Sequence, residues 1–129
     1  MGVVRAIAAP MLSGIFIRGG IDAFRDPEPR ARTAAPLLDR MRPAMPVGPT
    51  DPVTMVRMNA ALQVAAGAML ATNRMPRLAG LALAASLVPT TLGGHAFWRI
   101  DDAAKRAQQR TQFLKNAAVL GGLLLLALD

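Results

Sequence analysis

The chain has 129 residues, 53% of them hydrophobic, yet it carries 15 basic and 8 acidic side chains for a formal net charge of +7. The apolar share exceeds the roughly 45 to 50% of ordinary soluble domains and comes in blocks near bilayer length, which excludes a core that interleaves polar and apolar residues. The absence of cysteine excludes a disulfide framework, a thiolate nucleophile and a cysteine metal site, and with four Phe, one Trp and no Tyr to stack on bases the positive balance does not point to nucleic acid.

A helix of about 20 residues crosses a hydrocarbon core of about 30 Å, since each residue rises about 1.5 Å. The first such block is 2–21, with Arg5 and Arg18 near its ends, where long stems carry the charge to the headgroups. Pro10 is tolerated inside it as a kink. No small-residue cleavage site follows Ile21, so the block predicts a retained span rather than a signal peptide.

From 22 to 52 the composition changes to a Pro/Arg-rich segment with five Arg and five acidic residues. Pro27, Pro29, Pro36, Pro43, Pro46 and Pro49 argue against one continuous helix, and only Arg32 to Met41 offers a short interfacial one. An extramembrane loop is predicted here, long enough to be functional or to drape over a bundle. Further spans are predicted at 53–72, 78–98 and 113–128, all rich in Ala, Leu, Gly and Val. The turn at 73–77 contains Pro76 and makes spans two and three an antiparallel hairpin, while the polar stretch 99–112 can continue a neighbouring helix past the membrane surface. The fold expected is all-α, a membrane-embedded four-helix bundle in one domain.

Four spans put both termini on one side. Twelve of the fifteen basic residues then fall on the side of the two loops after spans one and three, against Arg5, Arg74 and Arg77 on the other. The positive-inside rule places those loops in the cytoplasm and both termini outside.

Polar groups inside spans point to function, because a charge at mid-bilayer costs roughly 2.5 to 3.5 kcal/mol and polar side chains there face protein or water. Asn59, Gln63 and Gly67 recur every four residues in span two, which predicts one face toward the bundle interior. The stripe reads either as helix glue, with amides bonding a neighbour and Gly67 allowing close approach, or as the lining of a cavity for a headgroup, a quinone ring or a substrate. Span three holds Ser86, Pro89, Thr90 and Thr91. Pro89 frees a carbonyl that Ser86 or water can satisfy. His95 follows near the span's end, without a second His, Cys or carboxylate at ligand spacing, so it predicts a structural hydrogen bond ahead of a proton relay and no metal site. Asn116 in span four is expected to pair with span two or three, and Gly121 and Gly122 to offer a close-packing surface. Arg18, Arg57, Trp98 and Lys115 are placed at the membrane interface, and Arg18 and Asp22 are spaced for an ion pair.

The segments "FIRGGIDAF", "LQVAAGAMLATNRMPRLAGLALAA", "HAFW" and "FLKNAAVLGGLLLLALD" resemble the DoxX family of small four-helix membrane proteins across nearly all of the chain outside the Pro-rich loop. The last segment is the most specific, with Phe113, Lys115, Asn116, Gly121 and Gly122 matching in type and spacing. Members commonly carry an acidic residue in span two where this chain has Gln63, so any proton or cation chemistry of that carboxylate is not expected here. The resemblance implies a multi-pass protein of the bacterial cytoplasmic membrane, tied through the family's name to quinone-linked oxidation of sulfur compounds and, in other members, to membrane redox and oxidative-stress complexes.

The function expected is a non-catalytic accessory or scaffold subunit of a membrane redox or respiratory complex. It binds lipid or quinone and meets a protein partner, or a second copy of itself, through the basic loops. The alternative is an enzyme or transporter that handles a small molecule within the bundle, with His95 as the reactive group.

Overall fold

The computed structural model describes residues 2–44 and 51–128, and among them five α-helices, two short 3-10 turns and no strand. The predicted loop prolines Pro46 and Pro49 lie outside the described residues. Four of the helices are long and apolar enough to cross a membrane. They are α1 (Gly2–Arg25), α3 (Pro52–Ala71), α4 (Pro76–Gly94) and α5 (Ala103–Leu128); the fifth, α2 (Glu28–Met41), is a shorter helix between the first two.

Local chemistry sets the ends. Pro52 and Pro76 open α3 and α4, where a missing N–H costs nothing because the first turn has no intrahelical acceptor. Between them Asn73 and Met75 take positive φ, 57° and 45°, closing the predicted hairpin in a left-handed turn. Asp102 caps α5, its carboxylate accepting the Lys105 N–H at 3.1 Å. Pro10 sits inside an unbroken α1, and the nearby Ser13 hydroxyl donates to the Pro10 carbonyl at 2.9 Å.

The segment expected as loop is largely helical. α1 continues past Ile21 to Arg25, and α2 then takes up Glu28–Met41, reaching four residues further toward the N-terminus than the stretch from Arg32 allowed. Pro27 and Pro29 stand at its start, where proline fits, and Pro36 lies on an exposed face where the bond it forfeits faces solvent. The α-helix of span three ends at Gly94 and a 3-10 turn covers Phe97–Arg99, so that the candidate span runs to Arg99, close to the expected 98. The polar stretch belongs to α5, whose 26 residues make about 39 Å at 1.5 Å per residue, longer than a hydrocarbon core needs.

α1 packs mainly on α3, α3 on α4 and α4 on α5, each pair antiparallel, while α1 and α5 meet only lightly. The core between them is built of small and aliphatic side chains, among them Ala9, Ala66, Ala79 and Ala84 with Phe16, Leu70, Leu83 and Leu123. That composition suits a bilayer, where lipid tails are as apolar as leucine and helices associate through close packing. Gly20 abuts Ala60 and Val64, and Gly67 abuts Ile17, so α1 and α3 approach through a glycine from each side. Large aliphatic residues face outward along the spans, Leu125 at 70% exposure while Leu123 is at 0%. In lipid that outer belt is the favourable arrangement.

Candidate functional site

A cavity of about 720 Å³ opens at the end of the bundle where α1 and α4 finish and α3 and α5 begin, and α2 roofs part of it. α1 contributes Ile15, Phe16, Gly19 and Ala23, and α2 contributes Arg30, Thr33, Ala34, Leu38 and Met41. The other walls bring the polar groups: Asn59 and Gln63 from α3, Thr90 and His95 at the end of α4, and Gln112, Lys115 and Asn116 from α5. From Pro52 to Gln63 the distance along α3 is about 16 Å, so the floor lies near the middle of a span.

The floor is a closed polar knot between α3 and α4. The Asn59 amide donates to Thr90 Oγ1 at 2.9 Å, and its carbonyl oxygen accepts from the Ser86 hydroxyl at 2.5 Å. The Gln63 amide donates to Ser86 Oγ at 3.0 Å and to Thr90 Oγ1 at 3.3 Å, which uses both of its protons. Thr90 in turn donates to the Ser86 carbonyl at 2.9 Å. These assignments fit one another: each hydroxyl gives its single proton and accepts from an amide, which fixes the orientation of both amide groups. The Gln63 Oε1 accepts no hydrogen bond from the described residues. Because no fully buried side-chain nitrogen or oxygen there lacks a partner, this atom opens onto the cavity.

On the opposite wall Asn116, buried at 6% exposure, donates to Thr91 Oγ1 at 3.1 Å, joining α5 to α4. Nearer the mouth, His95 Nδ1 lies 2.6 Å from Gln109 Oε1 and Lys115 Nζ donates to Gln112 Oε1 at 2.7 Å. With the Gln109 oxygen accepting, the imidazole proton sits on Nδ1, and Nε2 is left as an acceptor. Arg30 makes no hydrogen bond or ion pair among the described residues.

The structure thus brings Asn59, Gln63, His95 and Asn116 to one cavity, although they come from three helices. Gly67 is not on that face. Each four-residue step turns about 40° beyond a full circle, so the stripe that begins facing α4 at Asn59 has rotated to face α1 at Gly67. Gly122 packs against Leu12 of α1, whereas a Cβ at Gly121 would meet no atom of the described residues within 4 Å, so the close packing seen there is at Gly122. The Ser86 hydroxyl goes to Asn59 rather than to the carbonyl freed by Pro89.

Arg18 pairs with Asp22 at 3.2 Å on the surface. Arg57 donates to the Phe24 carbonyl at 3.3 Å and lies over the Phe24 ring, and Trp98 stands edge-on to Phe97 and Phe113. Sequence reasoning missed the α2 contribution. Its signal was present as Arg30, Ala34, Leu38 and Met41, spaced for one helix face, but the prolines around it read as breaks.

The DoxX family profile matches residues 6–96, which take in most of α1, all of α2 and α3, and α4 with the start of the turn after it. The match stops before the segment from Phe113 on which the resemblance leaned most. No curated protein and no solved structure matches. With a profile match over well more than half of the chain and four helices long and apolar enough to cross a bilayer, the protein is a small multi-pass integral membrane protein that belongs to the DoxX family.

Proposed function

We propose that the protein is a non-catalytic subunit of the bacterial cytoplasmic membrane that holds an amphiphile of the lipid or quinone class in its cavity and acts as scaffold to a membrane redox complex. The observation that carries this reading is the polar knot at the cavity floor. Ser86 and Thr90 spend their protons on Asn59 and on a backbone carbonyl. A nucleophile needs its proton aimed at a base, and an arrangement that commits the hydroxyls to a lattice of amides holds a guest instead. The guest meets apolar walls and a few fixed polar groups, the usual make-up of a small-molecule site. Docking of a partner is assigned to the basic surface at the same end, where Arg32, Arg40, Lys105 and Arg110 are exposed.

Purification in a mild detergent, followed by native mass spectrometry and extraction of bound small molecules, tests the reading. A lipid or quinone retained near one per chain is the expected result. Recovery of the bare chain, with neither partner nor guest, would overturn it.

The alternative, an enzyme or transporter, draws on His95, whose Nε2 is uncommitted beside the cavity. It requires His95→Ala to abolish turnover with expression intact; an active variant would remove it.

A further inference from the structure

We infer that the guest of the cavity is an anionic phospholipid, its phosphate held between Arg30 and Lys115 at the mouth and one acyl chain lying in the seam between α1 and α5. This deepens the proposed function and rests on its claim that the cavity holds an amphiphile.

Three observations meet here. Arg30 and Lys115 line the cavity from two different helices, α2 and α5, and among the described residues no carboxylate lines it with them. Two cations on a lining of apolar, amide, hydroxyl and imidazole groups complement an anion, and Arg30 has no partner among the described residues.

The second observation is the polarity of the floor. Both amide protons of Gln63 are used inside the knot, and its carbonyl oxygen is what faces the cavity. A quinone ring presents carbonyl acceptors, which this oxygen cannot bond. The charged donors, Arg30 and Lys115, are at the mouth, where a phosphate would sit.

The third is the light contact between α1 and α5. The cavity reaches this seam at Gly19 and Val119, and a second apolar groove of about 620 Å³, lined by Leu12 and Gly122 and then by Ala8 and Leu125, lies further along the same two helices. A chain entering from the surrounding bilayer can lie in this seam without crossing a packed interface.

The test uses the full-length protein in nanodiscs holding equal amounts of phosphatidylglycerol and phosphatidylcholine, with tightly bound lipid counted by native mass spectrometry. Phosphatidylglycerol is expected to be retained over phosphatidylcholine by about fivefold or more per cation that contacts it. The double variant Arg30→Gln, Lys115→Gln should bring the two lipids to near parity. The control Arg25→Gln, Arg99→Gln removes the same charge from exposed residues at the same end that do not line the cavity and should keep the preference.

Gly19→Leu should empty the site. A Cβ at Gly19 meets no atom within 4 Å and the position lines the cavity, so the leucine is expected to extend into cavity space with the helices intact by circular dichroism. If both double variants lose the preference equally, it belongs to the net charge of the surface and the inference fails. If phosphatidylcholine or an added quinone is held as well as phosphatidylglycerol and is expelled by Gly19→Leu, the cavity reading stands and the anionic assignment falls. If the wild type retains nothing, both fall.

Discussion

At Gly20 an added methyl would come within 2.9 Å of the Ala60 carbonyl oxygen, a backbone atom that cannot swing away, while at Gly121 it would meet nothing. Gly20→Val is therefore expected to lower the thermal midpoint of the detergent-solubilised protein by an overpacking cost of about 1–3 kcal/mol, and Gly121→Ala to leave it unchanged or higher. Gln63→Leu loses two hydrogen bonds across α3 and α4, each worth about 0.6 kcal/mol in membrane proteins, so a loss of about 1 kcal/mol in reversible unfolding is expected. A loss several times larger would mean that the knot acts as one cooperative unit. The amides were legible in the sequence because each is an isolated polar side chain in an apolar run. Which glycine of the 121–122 pair meets a neighbour was not, because that depends on how α5 is rotated against α1, and a periodicity carries no information about rotation.

The element that departs most from its sequence reading is α2. Proline density describes where a helix cannot have hydrogen bonds, not where tertiary contacts can hold one, and α2 gains such contacts on α3 and α4. Its Leu37 and Ala34 lie against Gly93, where a methyl would come within 3.2 Å of the Leu37 side chain. Gly93→Leu is accordingly expected to lift α2. Amide exchange across residues 28–41 should quicken roughly 5- to 150-fold for about 1–3 kcal/mol of overpacking, with little change across Pro52–Ala71. Equal loss of protection in both helices would show instead that α2 and the spans open together. The four spans themselves were legible from block length alone, since nothing but a helix satisfies its backbone over such a distance in hydrocarbon.

For the molecule as a whole, the antiparallel order of the four spans puts both termini at one end of the bundle and α2 at the other. The chain has no cysteine, so single-cysteine variants give clean reports of sidedness. The positive-inside rule puts the basic side toward the cytoplasm, and a membrane-impermeant maleimide added to intact cells tests it: Val3→Cys and Leu128→Cys should label, and Arg40→Cys should stay unlabelled until the membrane is opened. Labelling of all but one terminus would break the four-span order; labelling of Arg40→Cys alone would reverse its direction.

The pairing of α1 with α3 also has a consequence in time. The close approach of α1 at Gly20 is to a helix that begins only after the segment 26–51 has been made. At roughly 5–20 residues per second, α1 stands in the bilayer for a second or more before the ribosome delivers the first turn of its partner, and about 0.6–2.4 s longer before Val64 follows. Insertion of α1 must therefore succeed on its own apolar length, with the glycine surface that later locks it in place still facing lipid.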